Sequence, residues 1–558
     1  MKTLTREQIE AIETSNYLEA MIKEAMLEHD LNHIVTRFPP EPNGYLHIGH
    51  VKACMINIRV AQKFGGYTNL RFDDTNPNKE DIKYEKAIKD AMDWLGFEFK
   101  NVCYASDYYE TMFEKAIRLI KKGKAYVCDL TPEEITEYRG TFTRPGKDSP
   151  YRDRSIEENL ELFNDMRNRD YFPEKGRTLR AKIDMASPNI NLRDPVLYRI
   201  LQENHYRTGD KWQIYPMYDY AHPIEDAIEG ITHSLCSLEY EDHRPLYEWV
   251  IKECEFDNKP VNPRQIEFAR FSLNGAVMSK RHIKSLVDSG KIDGWSDPRL
   301  PTIAGMRARG YTPEAIKDFV SRIGVAKSPN TVEPAMLEAC VREELNTTAT
   351  RVMVVTDPVK VRITNLADNT VIDAEIDNNP TVENSGTHKA SFSNEIYIER
   401  DDFALDPPPK YNRLVEGGMV RLKGAYIIKC EKANVDKDGI VTELLCTYIT
   451  ESKSGSDTSG LKVKGTIHWV DAKTCVDIKI NEYAPLIKAG AIFEGSWDGV
   501  YNEDSLKIFN GKGEKFLTTL HKEARVQFIR RGYYFLVDKN EKNIEFNQTV
   551  SLKDSYKL

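Results

Sequence analysis

The chain has 558 residues, of which 40% are hydrophobic and 30% charged, and it carries a formal net charge of −9 at pH 7. This composition predicts a soluble globular protein with a substantial core, and the length predicts roughly three to five domains. The nine cysteines are an odd number without a Cys-x-x-Cys pair, which argues against a disulfide framework or a cysteine-rich zinc site and favours a reducing compartment.

No segment of the sequence predicts a membrane span. The first residues, Met1–Gln8, lack the apolar stretch of a signal peptide, and no run of about eighteen apolar residues occurs. We therefore expect a cytoplasmic protein.

The first predicted elements are a strand over residues 33–38 and a helix from Ile48. The pair Pro39-Pro40 and the pair Asn43-Gly44 predict a turn between them. The apolar periodicity of the helix continues until Gly65-Gly66, which predicts a glycine stop.

His47 and His50 are three residues apart at the start of this helix, so they share one face. Gly49 lets a ligand approach the backbone, and a helix N-terminus offers N–H groups and partial positive charge to a phosphate. The segment therefore predicts a nucleotide-phosphate site. The alternative is a pair of ordinary histidines near a helix cap.

A second strand-like run at 68–72 and a helical run at 76–95 complete the βαβ pattern of a doubly wound sheet. Asp73 and Asp74 follow this strand, at the edge where open α/β sheets hold ligands. A carboxylate there can bind an ammonium group, or it can cap the next helix. We expect Asp73 to be the ligand and Asp74 or Thr75 to be the cap.

The character of the chain changes over residues 106–217, where helical stretches surround a turn cluster at 140–150. Strand and helix patterns return at 215–220, 224–238 and 265–273. We therefore predict an insertion that splits the nucleotide-binding domain.

Residues 272–345 follow a helical pattern, and beyond Thr347 short alternating runs rich in Val, Ile and Thr predict β-barrels. The net charge of −9 is unfavourable for a nucleic-acid partner. Local basic runs either face RNA or are ordinary sheet-surface charge, and composition does not separate these interpretations. They cover 351–360, 413–429 and 522–531.

Two motifs carry a resemblance to a known family. The string Pro39–His50 (PPEPNGYLHIGH) ends in His-Ile-Gly-His, and Val277–Arg281 (VMSKR) follows Asn274-Gly275 far downstream. In this order they resemble the two signatures of the class I aminoacyl-tRNA synthetases, and the longer string is similar to the glutaminyl-tRNA synthetases among them. By itself, Val277–Arg281 would be interpreted as a solvated basic loop.

The resemblance covers nearly the whole chain and implies its architecture. It implies an α/β Rossmann-type catalytic domain with an inserted acceptor-stem domain and a helical subdomain, followed by two all-β barrel anticodon-binding domains. The predicted limits are 1–106 and 218–271 for the catalytic halves, 107–217 for the insertion, 272–345 for the helical subdomain with the Met-Ser-Lys loop, and 346–558 for the barrels. Bacterial glutamyl-tRNA synthetases carry an α-helical anticodon domain, so the β-rich half disfavours them.

The implied reaction is an in-line attack of an amino-acid carboxylate on the α-phosphorus of ATP, which needs preorganised positive donors where charge develops. By resemblance, the catalytic residues are His47, His50 and Lys280, without an acid–base catalyst. ATP is expected with Mg²⁺, and no residue is assigned as a metal ligand. The implied ATP site comprises Glu41, Pro42, Asn43, His47, Ile48, Gly49, His50, Val51, Lys52, Ala53, Ser237, Arg270, Phe271, Met278, Ser279 and Lys280.

The implied amino-acid site consists of Arg37, Asp73, Tyr218, Cys236 and Gln265. Asp73 would bind the α-ammonium group. A Tyr218 hydroxyl oriented to accept would select the NH₂ donor of glutamine over a carboxylate, which only accepts. Glutamate-specific relatives usually have Arg where Cys236 stands, and a neutral thiol cannot supply that countercharge. The predicted substrate is therefore L-glutamine.

The implied tRNA contacts are Phe142, Asp242, Arg351, Arg413, Gln527 and Arg530. Phe142 stands where relatives often have a leucine that opens the first acceptor base pair, and Asp242 is the expected minor-groove contact. The other four are suited to the edges of splayed-out anticodon bases, with sheet-surface charge as the alternative for each. Asn412 stands where some relatives carry Lys, a departure that would remove one phosphate or base contact. A further departure is Tyr240–Arg244 (YEDHR), where the family often has Phe-Gln-Asp-Asn-Arg.

The resemblance implies a monomeric, cytoplasmic ligase that makes glutaminyl-adenylate and transfers the acyl group to the 3′-terminal adenosine of tRNA(Gln). The alternative in the same class is a glutamyl-tRNA synthetase of the non-bacterial type, with β-barrel anticodon domains. A small-molecule nucleotidyltransferase would not need the β-rich half. A non-enzymatic RNA-binding protein would not need His47, His50 and Lys280.

Overall fold

The computed structural model describes residues 2–171, 173, 176–256, 262–540 and 543–553. The chain divides into two units, Met1–Ser272 with Val320–Val332 and Leu273–Phe319 with Glu333–Leu558. Across the described ranges, no helix is both long enough and apolar enough to cross a membrane.

The first unit combines helices with short strands. Its helices are α1 (Arg6–Glu10), α2 (Tyr17–Glu28), α3 (Ile48–Lys63), α4 (Ile82–Trp94), α5 (Tyr109–Lys121), α6 (Pro132–Arg139), α7 (Ile156–Arg167), α8 (Tyr218–Glu229) and α9 (Arg244–Glu253). Its strands are β1 (Val35–Phe38), β2 (Tyr67–Phe72), β3 (Val102–Tyr104), β4 (Ala125–Cys128), β5 (Thr178–Ala181), β6 (Val196–Ile200), β7 (Ile214–Pro216), β8 (His233–Ser237) and β9 (Arg264–Phe268).

Parallel strands organise this unit. β1, β2 and β3 pair in parallel in that order, and β8 pairs in parallel with β9. Every residue of β1 is buried, as expected for a parallel strand covered on both faces. Thr232, just before β8, donates its backbone N–H to the Val35 oxygen at 3.0 Å, so the two parallel groups meet at β1. The strands predicted at 33–38 and 68–72 are confirmed.

Helix α3 follows the predicted pattern. It begins at Ile48 and ends at Lys63, ahead of the two glycines. A Cβ atom added at Gly66 would lie 1.5 Å from the backbone oxygen of Ile34, so only glycine allows the chain to return this closely to β1.

Helix α4 is shorter than the predicted run of 76–95. It starts at Ile82, and its N-cap is Asp81, whose side chain accepts from the backbone N–H of Lys83 at 2.9 Å. The expectation that Asp74 or Thr75 caps this helix is therefore wrong, because both side chains bond to other groups described below.

The region between β3 and α8 contains an antiparallel sheet that the sequence did not predict. Its strands pair in the order β4-β5-β6-β7, and α5, α7, α8 and α9 share its hydrophobic core. Helical stretches were expected here and are present, but the strands have only three to five residues each, too few for a clear alternating pattern.

The segment that joins the first unit to the β-rich region is helical. Its helices are α10 (Lys280–Asp288), α11 (Ile303–Arg309), α12 (Pro313–Ile323) and α13 (Pro334–Thr348), with the short strands β10 (Phe271–Leu273) and β11 (Asn330–Val332).

The remaining strands form the predicted all-β half. They are β12 (Thr350–Val352), β13 (Val354–Val355), β14 (Pro358–Ile363), β15 (Ile372–Asp377), β16 (Thr387–Phe392), β17 (Glu395–Glu399), β18 (Phe403–Ala404), β19 (Leu414–Val415), β20 (Met419–Leu422), β21 (Ile427–Val435), β22 (Val441–Tyr448), β23 (Thr466–Ile467), β24 (Trp469–Asp471), β25 (Val476–Tyr483), β26 (Leu506–Gly513), β27 (Arg525–Phe528), β28 (Gly532–Lys539) and β29 (Ile544–Ser551).

Two seven-stranded sheets dominate this half. One runs β23-β20-β21-β22-β14-β17-β24 and the other β12-β27-β28-β29-β25-β26-β13. Both are nearly closed, barrel-like sheets, and each encloses a hydrophobic core of its own. The prediction of β-barrel structure beyond Thr347 is confirmed at this level.

Candidate active site

The two histidines of the first motif cap the N-terminus of α3. His47 is the N-cap residue, and its Nδ1 accepts from the backbone N–H of Gly49 at 3.1 Å. The Nδ1 of His50 accepts from the backbone N–H of His47, also at 3.1 Å, and the ring centroids lie 3.9 Å apart. The two rings therefore meet as predicted, although an imidazole already occupies the Gly49 N–H that was expected to meet a phosphate.

These contacts fix where the imidazole hydrogens lie. Because both rings use Nδ1 as an acceptor, the hydrogen of each neutral ring resides on Nε2. His47 and His50 thus each present one ring N–H donor beside the positive end of the α3 dipole. Two such donors suit a phosphate, whose oxygens only accept.

Hydrogen bonds fix the polar side chains predicted around the nucleotide. Asn43 donates to the carboxylate of Glu41. Ser237 and Arg270 both donate to the carboxylate of Glu239, which orients one hydroxyl and one guanidinium around a single acceptor.

Several predicted ATP-site residues on α3 are buried. Ile48 and Val51 are 0% exposed, so both residues are packed in the core. Lys52 is 2% exposed and donates to the Ala269 oxygen at 3.1 Å, with its ammonium 5.6 Å from the centre of the Phe271 ring. Burial lowers the pKa of Lys52, and its ammonium supports the segment after β9.

The second signature lies in the second unit. Lys280 is the first residue of α10 and Ser279 its N-cap, so the Met-Ser-Lys loop ends where this helix begins. Val277 is buried in a hydrophobic cluster with residues of the 486–501 segment. The predicted ATP-site residues Met278, Ser279 and Lys280 belong to the second unit, and the other thirteen, Glu41, Pro42, Asn43, His47, Ile48, Gly49, His50, Val51, Lys52, Ala53, Ser237, Arg270 and Phe271, belong to the first.

Arg37, predicted in the amino-acid site, is a fully buried cation on β1. Its Nε donates to Asp226 Oδ1 at 3.2 Å and its Nη1 to the Leu235 oxygen at 3.0 Å. Its Nη2 donates to Ser234 Oγ at 2.6 Å and lies 3.4 Å from the Sγ atom of Cys236. The structure thus brings Arg37 and Cys236 together, and the thiol adjoins a guanidinium group.

Asp226 neutralises this guanidinium. The same carboxylate lies 2.7 Å from Arg71 Nη2, but the charge of Arg71 is also balanced by Glu229, whose Oε1 lies 2.7 Å from Arg71 Nε. Asp226 further accepts from the Tyr247 hydroxyl at 3.0 Å. Burial alone would raise the pKa of Asp226, but the neighbouring cations, Arg37 foremost, lower it well below its usual range. On the other side of Arg37, His222 Nε2 accepts at 2.9 Å, and burial lowers the pKa of His222 to about 3, so its ring is neutral.

Neutral groups line the rest of this site. Tyr218, the first residue of α8, stacks on His222 with ring centroids 5.0 Å apart and lies 5.0 Å from the Tyr240 ring. Burial raises the pKa of Tyr218 well above its usual value and also raises the pKa of the Cys236 thiol. The pocket therefore presents a phenol, a thiol and an imidazole without net charge.

Asp73, the predicted ammonium ligand, belongs to a buried acidic cluster. It is 7% exposed and accepts from the Thr75 hydroxyl at 2.8 Å. Asp74 instead accepts from the backbone N–H of Ser106 at 2.8 Å and from its hydroxyl at 2.6 Å. Burial raises the pKa of Asp73 to about 6, of Asp74 to about 7 and of Glu80 to about 9. Asp73 is therefore the most readily ionised of the three carboxyl groups.

Gln265, the last predicted pocket residue, lies on β9. Its Nε2 donates to the Tyr240 oxygen at 3.0 Å and to Glu267 Oε1 at 2.9 Å. Its amide nitrogen is therefore held by protein acceptors.

Sequence reasoning missed three residues of the buried cluster around Arg37, which are His222, Asp226 and Ser234. A signal for two of them was present, because Tyr218, His222 and Asp226 follow one another at intervals of four residues in α8. Residues four apart share a helix face, so the face of Tyr218 already contained the imidazole and the carboxylate that meet Arg37.

The residues predicted to meet the acceptor stem lie on the surface of the first unit. Phe142 is 85% exposed in a turn after α6. Asp242 is exposed, and its backbone oxygen accepts from the side-chain amides of Asn189 at 2.7 Å and Asn191 at 3.2 Å.

The residues predicted to meet the anticodon form two pairs in the second unit. Arg351 and Gln527 are register partners on the parallel strands β12 and β27. Arg413 and Arg530 both contact the buried carboxylate of Asp402. The structure brings each pair together, and their contact with RNA remains a prediction.

Family models match three consecutive parts of the chain. Residues 33–347 match the catalytic domain of the class I tRNA synthetases (E and Q), and residues 349–449 and 466–538 match two anti-codon binding domains of the same group. The chain therefore belongs to the class I tRNA synthetases of the E and Q group.

Its similar relatives are glutamine–tRNA ligases. The Clostridium kluyveri glutamine–tRNA ligase is 52% identical over 550 residues, which cover 98% of both chains. The Clostridium perfringens enzyme of the same name is 52% identical over 554 residues, 98% of this chain and 99% of that one. A solved glutamate tRNA ligase from Elizabethkingia meningosepticum, in complex with its amino acid, matches with TM-score 0.41 and 19% identity over 56% of this chain and 70% of that chain.

Proposed function

We propose that this protein is a glutamine–tRNA ligase, which activates L-glutamine with ATP and transfers the acyl group to the 3′-terminal adenosine of tRNA(Gln). The choice of glutamine rests on the guanidinium of Arg37, whose charge Asp226 compensates at 3.2 Å. A glutamate side chain would bring an uncompensated negative charge into this buried site, which is costly, whereas the amide of glutamine is neutral.

In the activation step, the glutamine carboxylate attacks the α-phosphorus of ATP and pyrophosphate leaves. Negative charge develops on the phosphoryl oxygens, where the Nε2–H groups of His47 and His50 donate. Their Nδ1 contacts already hold both rings, so little reorganisation is needed when the charge builds. Lys280 adds an ammonium group, and none of the three exchanges a proton.

Magnesium belongs to this proposal as a companion of ATP. The groups at the phosphate site are imidazole and ammonium donors, which suit anions and not a hard cation. Within the described residues no group of three or more His, Cys, Asp or Glu could hold a metal. The ion would therefore arrive on the phosphates of ATP and neutralise part of their charge.

In the amino-acid site, the Asp73 carboxylate binds the α-ammonium group of glutamine. The Tyr218 hydroxyl accepts from the side-chain NH₂ group, and the neutral Cys236 and His222 complete the wall. Arg37 stays bound to Asp226 and forms the rigid floor of the pocket. Gln265, held by Tyr240 at 3.0 Å, completes the polar contacts.

The domain limits form part of the proposal. Residues 1–106 and 218–271 form a split Rossmann-type domain, supported by the parallel pairing of β1 to β3 and of β8 with β9. Residues 107–217 form the inserted acceptor-stem domain, with its antiparallel sheet and the exposed Phe142. Residues 272–345 form the helical subdomain and 346–558 the two anticodon-binding barrels.

We further propose that the enzyme is a cytoplasmic monomer. The nine cysteines lack a Cys-x-x-Cys pair, which suits a reducing compartment. Light scattering of the purified protein, with and without tRNA, measures its molar mass and so tests whether it is a monomer.

Glutamate is the second candidate substrate, because the Arg37 Nη2 lies 3.4 Å from Cys236 Sγ and a guanidinium can pair with a carboxylate. Asp226 already occupies that guanidinium, so glutamate ranks second. Pyrophosphate exchange with each amino acid, with and without tRNA, tests the assignment. We expect exchange with glutamine to exceed exchange with glutamate by several orders of magnitude, whereas the reverse order would overturn the proposal.

A further inference from the structure

Asp402 joins the two β-barrel sheets through a pair of arginines. It is 0% exposed and ends the short turn between β17 and β18. Arg530 binds it with both terminal nitrogens, Nη1 at 2.9 Å from Oδ1 and Nη2 on Oδ2. Arg413 Nε lies 3.3 Å from the same Oδ1 atom. The two guanidinium groups therefore share one buried carboxylate.

The fold explains why these residues meet. β18 and β19 pair in parallel with Phe403 opposite Leu414, so the preceding residues, Asp402 and Arg413, lie side by side. Arg530 reaches them from the turn between β27 and β28, a connection of only three residues.

The backbone of Arg530 is held in an unusual conformation. Its φ angle is +66°, the left-handed region that non-glycine residues rarely adopt without support from their surroundings. His468 holds the end of the side chain, because its Nδ1 accepts from Arg530 Nε at 3.0 Å. A guanidinium only donates, so this ring nitrogen carries no hydrogen. Two contacts with Asp402 and one with His468 thus fix the orientation of the Arg530 guanidinium.

The Arg413–Arg530 pair retains capacity for a ligand. Their side chains are 43% and 34% exposed, whereas that of Asp402 is 0% exposed. Two guanidinium groups against one carboxylate leave one surplus positive charge, and an arginine has five N–H donors, of which these contacts use only part. The exposed side of the pair therefore suits a group with several acceptor atoms.

We propose that Asp402 is a positioning residue, which holds Arg413 and Arg530 together so that they read the acceptor edge of one unpaired anticodon base. This inference rests on the proposed tRNA ligase function. Bases in RNA loops are read by hydrogen bonds to their edges. The carboxylate of Asp402 fixes the distance between the guanidinium groups of Arg413 and Arg530 before RNA binds. Without the Asp402 carboxylate, the two positively charged guanidinium groups would repel each other and move apart.

The test is the Asp402→Asn variant, compared with Asp401→Asn as a matched control. Asp401 is the preceding residue and exposed, and only its backbone oxygen receives Arg413, from Nη1 at 2.9 Å. Both variants lose one negative charge at nearly the same place. The measurement is kcat/KM for glutamine charging of a tRNA(Gln) transcript and of transcripts substituted at each anticodon position in turn.

We expect Asp402→Asn to lower kcat/KM for the unmodified transcript at least tenfold, through KM for tRNA, with kcat and KM for glutamine unchanged. Discrimination should fall at one anticodon position and persist at the other two. The proposal would be overturned if discrimination between the anticodon transcripts were unchanged or fell equally at all three positions. It would also be overturned if Asp401→Asn changed kcat/KM as much as Asp402→Asn. If the parent enzyme does not charge tRNA with glutamine, the proposed function fails instead.

A second measurement covers the case in which Asp402→Asn does not fold. Arg413→Ala and Arg530→Ala alter partly exposed side chains, and the double variant completes a cycle. If the pair acts as a unit, the double variant loses clearly less than the product of the two single losses in kcat/KM. Independent, multiplicative losses would overturn the proposal. Arg530→Lys should resemble Arg530→Ala, since an ammonium cannot make the two-pronged contact.

Discussion

Arg37 Nε and Asp226 Oδ1 lie 3.2 Å apart, and the two side chains are 1% and 0% exposed. They belong to β1 and α8, 189 residues apart in the chain. Arg37 forms the floor of the proposed glutamine pocket, and Asp226 already compensates its positive charge. Variants of this pair should change two properties that can be measured separately, the stability of the fold and the preference of the site for a neutral or a charged side chain.

Asp226→Asn should destabilise the protein and shift its substrate preference. Removing one partner of a buried ion pair leaves the other uncompensated, which costs about 3–5 kcal/mol. The released Arg37 should then favour glutamate relative to glutamine. Urea denaturation and kcat/KM for both amino acids measure the two effects. The control is Asp219→Asn on the same helix, where Asp219 meets His243 at 2.8 Å with both side chains 30% exposed. If the control costs as much stability, burial of the pair is not the cause.

Cys236→Arg should raise the activity with glutamate relative to glutamine, because it adds the countercharge that a carboxylate needs. The new guanidinium would stand beside Arg37, whose Nη2 is 3.4 Å from Cys236 Sγ, so we also expect lower stability and lower total activity. Cys236→Ser keeps the site neutral and should preserve the preference for glutamine. Equal discrimination in all three proteins would show that Cys236 only fills space.

The His47–His50 pair offers variants that separate capping from phosphate binding. His50→Asn keeps an acceptor near the position of Nδ1 but removes Nε2, so α3 should remain capped while pyrophosphate exchange falls by roughly 10² or more. Lys280→Ala should reduce exchange to a similar extent. Thermal unfolding and tRNA binding should stay close to those of the parent. Near-normal exchange in both variants would contradict the assigned roles.

The pH dependence of glutamine binding should report Asp73. Burial raises its pKa to about 6, and only the ionised form attracts an ammonium group. KM for glutamine should therefore rise as the pH falls through about 6 and stay constant above about 7. In Asp73→Asn, KM should be high at every pH. A parent enzyme with a flat profile between pH 5 and 8 would remove Asp73 from the site.

Glu80→Gln should stabilise the fold at neutral pH. Burial raises the pKa of Glu80 to about 9 from its ordinary value of 4.5, so the folded state binds a proton at pH 7 that the unfolded state releases. This difference disfavours folding above pH 4.5 and grows by about 1.4 kcal/mol per pH unit. A neutral amide avoids it, so the gain should be on the order of 3 kcal/mol at pH 7 and small at pH 5. Chemical denaturation at the two pH values measures it, and equal gains would contradict the burial argument.

Local signals in the sequence predicted much of the fold and the meeting of His47 and His50 at the start of α3. The α3 cap and its glycine stop are short-range features, and the alternating runs beyond Thr347 predicted the barrel-like sheets. The β4–β7 sheet was missed because its pairing depends on distant segments. Asp74 was assigned to a helix cap because its actual partner, Ser106, lies 32 residues away.

The candidate pocket shows the same limit. Resemblance supplied Arg37, Tyr218 and Cys236, but the compensation of Arg37 by Asp226 depends on how β1 lies against α8. The Asp402 contacts likewise depend on a three-residue turn of the other sheet. Charge balance in a buried site is set by tertiary structure, so a sequence can indicate which charged residues are present but not which of them meet.

Charging of total tRNA with labelled glutamine and labelled glutamate, in parallel, measures whether the Arg37 site selects a neutral side chain. The compensated Arg37–Asp226 pocket predicts rapid attachment of glutamine and attachment of glutamate slower by a factor on the order of 10⁴. Attachment of glutamate at an equal or higher rate would rule out this selection, because the site would then accept a negatively charged side chain beside Asp226.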